Sequence, residues 1–377
     1  MRKMLIVFCL IIIVLGTAAA QQPTVDQILD RHAEALGGMQ AIKNFNSLHY
    51  QAEVNLGNLT GSAESWLEKP GKTRIEMDIA IMQVEQGMYE DRLWIKDQTG
   101  TVRDMAGSEK KQFVTEYQMS SYNYLLNPEI RNSFTIKGVE EFDEKGCFIL
   151  DFMPPGGVKI TIYIDTLDYL MAGNRAAVQG IPVKTTYSDW RVIEGIKFPF
   201  QTIQDLGNPM LLVTFNVTGA EMNKDIPDIV FMPPESGEES FRITGNAESC
   251  SIEFTLDWHL IYIPVDVNGI GPFWFLLDSG AGMSVLDKRI ADSLGLEDAG
   301  NLPTAGIGGL DVGSFVKVDS LELGDVTLLD FAAGALDLSF TDGILAKPIQ
   351  GILGYDLFSR LIVDIDYPAS IITIYNP

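Results

Sequence analysis

The chain has 377 residues, of which 46% are apolar and 21% charged, and a formal net charge of −24. That length allows two domains, each able to bury a core. The strong negative charge excludes nucleic acid and anionic membrane surfaces as partners and says nothing about fold.

Residues 1–20 have the pattern of an export signal. Arg2 and Lys3 make a basic start, Met4 to Leu15 form an apolar run too short to span a bilayer, and Thr17-Ala18-Ala19-Ala20 offers small residues for cleavage before Gln21. An uncleaved anchor is the alternative. The expectation is an exported protein, periplasmic or extracellular, that is soluble once this segment is removed.

Thr24 and Gln27 form a capping-box pattern. Val25, Ile28, Leu29, His32 and Leu36 then recur at helical spacing up to the Gly37-Gly38 stop. His32 lies on the apolar stripe and reads as a packed residue. Leu48 to Leu56 alternates apolar and polar with a period of two, as do Thr73 to Ile79 and Leu93 to Ile95. A second helix is predicted over Gln112 to Leu126. Strands resume at Phe148 to Phe152 and, after the Pro154-Pro155-Gly156-Gly157 turn, at Val158 to Ile164. Asp165 and Asp168 flank a turn and are not an acid pair.

The helix ending in Gly-Gly, the strand meander and the segment Tyr187-Ser188-Asp189-Trp190-Arg191-Val192-Ile193-Glu194-Gly195-Ile196-Lys197-Phe198-Pro199 resemble the periplasmic lipoprotein-carrier fold. The resemblance implies an unclosed β-barrel over 22–232, with helices plugging a concave face that takes up acyl chains. A β-rich domain with a filled core and no hydrophobic ligand is the other reading. Met232 to Ser240 combines prolines, glycine and acids and reads as an exposed linker, here given as 233–248.

In the second half, 249–377, Ile261 to Val267 is an alternating strand, and Asn268-Gly269 signals a hairpin. The return strand Phe273-Trp274-Phe275-Leu276-Leu277 ends abruptly on Asp278-Ser279-Gly280-Ala281. A carboxylate closing a buried apolar strand is costly unless it is paired, hydrogen-bonded or protonated, so its presence implies that it is used. Asp287 is placed to cap a short helix ended by Gly295. Gly306 to Gly313 is glycine-rich and reads as a mobile stretch, and Ile352-Leu353-Gly354 lies near the end of the chain.

The order hairpin, Asp-Ser-Gly-Ala, glycine-rich stretch, apolar-apolar-Gly resembles the retropepsin-like aspartic proteases. The resemblance implies that Asp278 is the catalytic aspartate, with Ser279 orienting it and Gly280 completing the turn. Gly306, Ile307, Gly308 and Gly309 would belong to a flap over the substrate, and Ala281, Ile352, Leu353 and Gly354 would support the active-site loop. Viral members carry an acid where this chain has Gly282, and Arg-Asn where it has Tyr355-Asp356, so their substrate-binding network is not carried over. Thr341-Asp342-Gly343 has the wrong residue order for a second motif. Two carboxylates therefore require two chains in an isologous homodimer.

The sequence thus reads as mainly β, with an unclosed barrel bearing helices followed by an acid-protease barrel. The expected activity is that of an exported aspartic endopeptidase acting on peptide or protein substrates, without cofactor or metal. The competing reading is a carrier or peptide-binding protein whose protease-like domain is inactive. His32, His49 and His259 are scattered, which argues against a zinc site. Cys147 and Cys250 read as buried free thiols, with a disulfide between the halves as the alternative.

Overall fold

Thr24 opens the first helix as its spacing predicts. Its hydroxyl accepts the Gln27 amide, and the Gln27 side chain accepts the Thr24 amide, closing the capping box. Helix α1 (Val25–Leu36) buries Ile28, Leu29, His32, Ala33 and Leu36. Gly37, at φ 131°, lets the chain turn back so that the Gly37 and Gly38 amides reach the last carbonyls of the helix. A second short helix, α2 (Met39–Asn44), follows; its pattern was too brief to read from the sequence.

This computed structural model describes residues 22–376 apart from 58, 80–81, 98–99, 179, 208–211, 236–240, 307–308 and 344–346. The signal expected at 1–20 lies outside the described residues, as do Ile307 and Gly308 of the expected flap.

A first meander runs β1 (Ser47–Leu56), β2 (Leu59–Glu68), β3 (Lys72–Ile79), β4 (Met82–Tyr89), β5 (Arg92–Lys96) and β6 (Val102–Asp104). Helices α3 (Gly107–Ser120), α4 (Asn123–Leu126) and α5 (Pro128–Arg131) come next. A second meander completes the unit: β7 (Phe134–Phe142), β8 (Lys145–Phe152), β9 (Ile160–Asp165), β10 (Met171–Val178), β11 (Ile181–Ile193), β12 (Ile196–Asp205) and β13 (Leu212–Met222). Antiparallel pairing of β1 with β13 joins the two meanders into one 13-stranded sheet, open between β6 and β7.

The alternation read at residues 48–56 holds, since Ala52, Val54 and Leu56 are buried while Gln51 and Glu53 are exposed. The helices pack on the sheet through Ile28, Leu36, Phe45, Tyr124 and Leu125 against Phe134, Leu150, Phe152 and Ile162. Each fully buried aliphatic side chain here stabilises the unit by about 1.5–3 kcal/mol relative to exposure. The single helix predicted at 112–126 is broken at Tyr122, whose left-handed backbone (φ 58°) turns its ring edge-on to Phe45. Asp165 and Asp168 are turn residues, each accepting the amide two positions on.

The second unit contains β14 (Phe241–Ile243), β15 (Ser249–Glu253), β16 (Thr255–Asp257), β17 (Leu260–Val267), β18 (Ile270–Leu277) and β19 (Val285–Asp287). These are followed by α6 (Lys288–Ser293), β20 (Asp298–Gly306), β21 (Gly309–Leu323), β22 (Val326–Leu336), β23 (Gly351–Leu353), α7 (Tyr355–Phe358), β24 (Ile362–Asp366) and β25 (Ile371–Tyr375). The path β22-β19-β23-β18-β17-β21 closes through the β21–β22 pairing into a barrel. Separately, β15, β25 and β24 form a three-stranded sheet. Phe241–Ile243, read as linker, pairs with Leu328–Val326 instead, because its alternate apolar residues cover the open edge of β22.

Asn268 and Gly269 both take positive φ at the β17–β18 turn, the geometry that the hairpin signal demands. Asp287 caps α6 by accepting the Arg289 amide. Cys147 and Cys250 are buried free thiols. The two units meet through an apolar cluster: Val54, Leu56, Leu59, Ala63 and Ile79 of the first sheet pack with Phe315, and Met283 and Ala299 lie against them.

Candidate active site

Strand β18 delivers Asp278 to the rim of the barrel. It runs parallel to β23, with Leu277 opposite Leu353, and the Asp278 amide donates to the Leu353 carbonyl at 3.0 Å. Beyond it the chain folds back tightly. The Gly280 amide donates to Asp278 Oδ1 at 2.8 Å, and the Ala281 amide donates to the Asp278 carbonyl at 3.2 Å. This local turn fixes the carboxylate plane relative to the strand.

The environment of Asp278 differs from the expectation. Only Phe275 of the apolar run is fully buried; Phe273, Trp274, Leu276 and Leu277 are half-buried, and Asp278, Ser279 and Gly280 are exposed. The residues of β18 alternate between the core and a less covered face, so the carboxylate stands in solvent and escapes the desolvation penalty inferred from composition. The Gly280 backbone amide supplies a hydrogen bond that orients it.

Beneath the turn lies a buried support. Gly354 packs so closely that a Cβ there would stand 2.5 Å from the Met283 carbonyl oxygen and 2.8 Å from that of Ala281. The Gly354 amide donates to Ser284 Oγ at 3.2 Å, and the Tyr355 amide donates to the Ala281 carbonyl at 3.0 Å. Asp356, fully buried, accepts the Ser284 amide. Burial pushes the Asp356 carboxyl above the usual range, opposed by its Ser284 hydrogen bonds and by the Arg360 charge. Ala281, Leu353 and Gly354 thus touch the turn directly, while Ile352 pairs with Leu276 one step back.

Ser284, Tyr355 and Asp356 were not singled out as site residues from the sequence. Their only signal was position: Ser284 closes the turn, and Tyr355-Asp356 follow the apolar-apolar-Gly segment directly.

Tyr355 reaches into the first unit. Its hydroxyl donates to Asp97 Oδ2 at 2.7 Å and accepts from Arg103 Nε at 2.9 Å. Arg103 also grips Glu109 through both terminal nitrogens, at 2.8 and 3.0 Å. Burial, reinforced by the Asp97 carboxylate, pushes the Tyr355 phenol up to about 12, so it stays a donor at neutral pH.

The expected flap is the β20–β21 hairpin, in which Gly306 pairs with Gly309 across the undescribed tip. Gly309 to Gly313, read as a mobile stretch, belongs to strand β21. Gly313 is required by close packing, since a Cβ there would lie 2.2 Å from Leu336 Cδ2 and 2.5 Å from the Ala335 carbonyl. Among the described residues no cluster of His, Cys, Asp or Glu could hold a metal ion. No helix of the described residues is long and apolar enough to cross a membrane.

Comparison with known proteins places the match on this region. Residues 263–357 match the family model described as aspartyl protease. Among curated proteins none matches the chain. Solved structures similar to this chain include a DUF1329 family protein from Desulfovibrio piger, with 15% identity, 55% of this chain and 97% of that one covered, and a TM-score of 0.39. A LolA superfamily protein from Nitrosomonas europaea is similar at 11% identity, over 56% of this chain and 98% of its own, with a TM-score of 0.39. A retropepsin-like aspartic protease from Rickettsia conorii is similar at 20% identity, over 34% of this chain and 91% of its own, with a TM-score of 0.26. Asp278, its turn and the Gly354 support lie within the residues that match the aspartyl protease family model, behind a large open antiparallel sheet covered by helices.

Proposed function

We propose that the protein is an exported aspartic endopeptidase in which two copies of Asp278, one from each chain of a homodimer, activate water against a peptide bond. The observation that carries this reading is Asp278 itself: a solvated carboxylate on a turn locked by the Gly280 amide and the Leu353 carbonyl, within the segment that matches the aspartyl protease family. A second Asp-Ser/Thr-Gly is missing from the sequence. Exposure in one chain leaves the carboxylate free to meet its copy across a two-fold axis.

Two carboxylates brought close cannot both ionise easily, so one keeps a proton and the pair titrates as a unit. The ionised member takes a proton from water as the water oxygen bonds to the peptide carbonyl carbon. Its neutral partner gives its proton to the carbonyl oxygen. Collapse of that intermediate breaks the carbon–nitrogen bond: the first carboxyl gives the nitrogen the proton it took from water, and a hydroxyl of the diol returns a proton to the partner carboxylate. The export pattern at 1–20 supports an activity outside the cytoplasm, and the two units divide near residue 240.

Asp278→Asn tests the reading on a broad peptide library from acid to neutral pH, with oligomeric state measured on the same samples. The variant should lose at least about 10²-fold in kcat, and the wild type should sediment as a dimer at concentrations where it cleaves. A wild type that cleaves nothing across that range, an equally active variant, or a strictly monomeric active enzyme defeats it.

A second reading, in which the first unit takes up a hydrophobic ligand, is favoured by a recess of about 390 Å³ among the helices. Met39, Leu125, Leu126 and Pro128 line it together with Asp26, Lys43, Arg131 and Asn132. Arg131 is paired there with Asp26 and Asp30, so the lining suits a small molecule with an apolar body and a polar head. Organic extraction of the purified full chain should then yield such a molecule in stoichiometric amount; a clean extract removes the reading.

A further inference from the structure

Three contacts between the first unit and the protease segment fall on elements that the proposed chemistry depends on. At the active-site turn, Met283 packs into the apolar cluster formed by Val54, Leu56 and Leu59. At the base of the flap hairpin, Gly300 lies so close to Leu59 that a Cβ on it would fall 1.9 Å from Leu59 Cδ2. At the support, the Tyr355 hydroxyl is held between Asp97 and Arg103 while its amide holds the Ala281 carbonyl. Asp97 follows β5, Arg103 lies on β6, and Glu109, in the first turn of α3, fixes the Arg103 fork from the far side.

These bonds are partly buried and charge-assisted, which makes them directional and stronger than neutral ones. A bond to the tip of Tyr355 is transmitted rigidly, because the tyrosine backbone is joined to the turn by the Ala281 carbonyl and by the close Gly354 packing. Viral relatives, by the resemblance drawn from the sequence, place an arginine at the Tyr355 position. Here the residue at that position turns to the neighbouring unit instead.

We infer that the first unit is a brace of the active site: Asp97 and Arg103 act through Tyr355 as positioning residues that hold the turn carrying Asp278. The inference rests on the protease reading for its catalytic consequence, although the brace itself does not need catalysis to be observed. The first unit thereby becomes part of the catalytic assembly, and a change at β5, β6 or the start of α3 is felt at the turn.

The test uses the full chain and the variant Tyr355→Phe, which removes both hydrogen bonds and keeps the ring. Amide hydrogen exchange is followed at Ala281 to Ser284, in wild type and in an Asp278→Asn background. Exchange at these amides should accelerate about 10-fold or more in Tyr355→Phe, while exchange in β8 and β9 stays unchanged. In the active enzyme, kcat should fall about 10- to 100-fold with KM altered less than about 3-fold, as expected when alignment and not substrate binding is lost. Arg103→Lys, which keeps a donor for the phenol but not the fork to Glu109, should recover part of the kcat that Arg103→Ala loses.

Unchanged exchange at 281–284 in Tyr355→Phe overturns the brace. Accelerated exchange with unaltered kcat overturns its catalytic role. If the wild type cleaves nothing, the protease reading fails by itself, and the exchange result in the Asp278→Asn background still decides whether the brace exists.

Discussion

Replacing Gly354 by alanine is the most direct perturbation of the support beneath Asp278. The new methyl would meet two backbone oxygens, at 2.5 Å from Met283 and 2.8 Å from Ala281, where ordinary contact begins near 3.4 Å. The shortfalls are about 0.9 and 0.6 Å, and both fall on main-chain atoms that cannot rotate away. Either β23 or the turn must move by a large part of an ångström. Overpacking of this kind destabilises by about 1–3 kcal/mol. A displacement approaching 1 Å at a reacting group reduces turnover on the order of 10²-fold.

Urea unfolding, read as a shift in midpoint at constant m, measures the first effect, and peptide cleavage measures the second. Gly219→Ala in β13 is the matched control. No atom lies within 4 Å of its Cβ position, so the change should stay within about 0.5 kcal/mol. A Gly354→Ala enzyme as stable and as active as wild type would refute the argument that close backbone packing sets the turn.

Two further outcomes follow from buried polar groups. Ser284→Ala removes the acceptor of the Gly354 amide at a position with no solvent access, so about 1–3 kcal/mol of stability should be lost in urea unfolding, with faster exchange at Gly354. His32 is held neutral: burial lowers it from 6.5 to about 4, while Nδ1 donates to the Tyr169 carbonyl and Nε2 accepts from the Tyr124 hydroxyl. The unfolded chain binds this proton below 6.5 and the folded chain only near 4. Stability is therefore fully present above pH 6.5 and falls by roughly 3 kcal/mol as the pH drops to about 4. Unfolding free energies across that window should show a flatter slope in His32→Gln than in wild type; equal slopes would show that His32 is not the titrating group.

Local signals in the sequence carried much of this fold. Thr24 and Gln27 need only three intervening peptide units to form their box, and Asn268-Gly269 needs only its own backbone. Alternation at 48–56 survives because one face of β1 is buried against the core. Where the outcome depended on remote partners, the sequence was silent. Tyr122 breaks a helix because its ring belongs with Phe45, and Phe241–Ile243 becomes a strand because β22 has an edge to cover. Asp278 follows an apolar run yet is solvated, because that run faces the core with only part of its side chains. Tyr355 gave no hint of its role, since Asp97 and Arg103 stand more than 250 residues away in the chain.

The open ends of the 13-stranded sheet bear on how the two units can be separated. At one end β6 is only three residues long, and its Arg103 side chain bonds to Tyr355, the first residue of α7 in the second unit. Short edge strands, and edges covered by a charged or bonded neighbour, are the means by which β proteins prevent one molecule from templating onto the next. The shortness of β6 therefore limits what another molecule can pair with at this end. A truncation made near residue 240 to simplify study of the sheet would leave Arg103 and Asp97 without Tyr355, so the sheet studied alone would differ at this end from the sheet in the full chain.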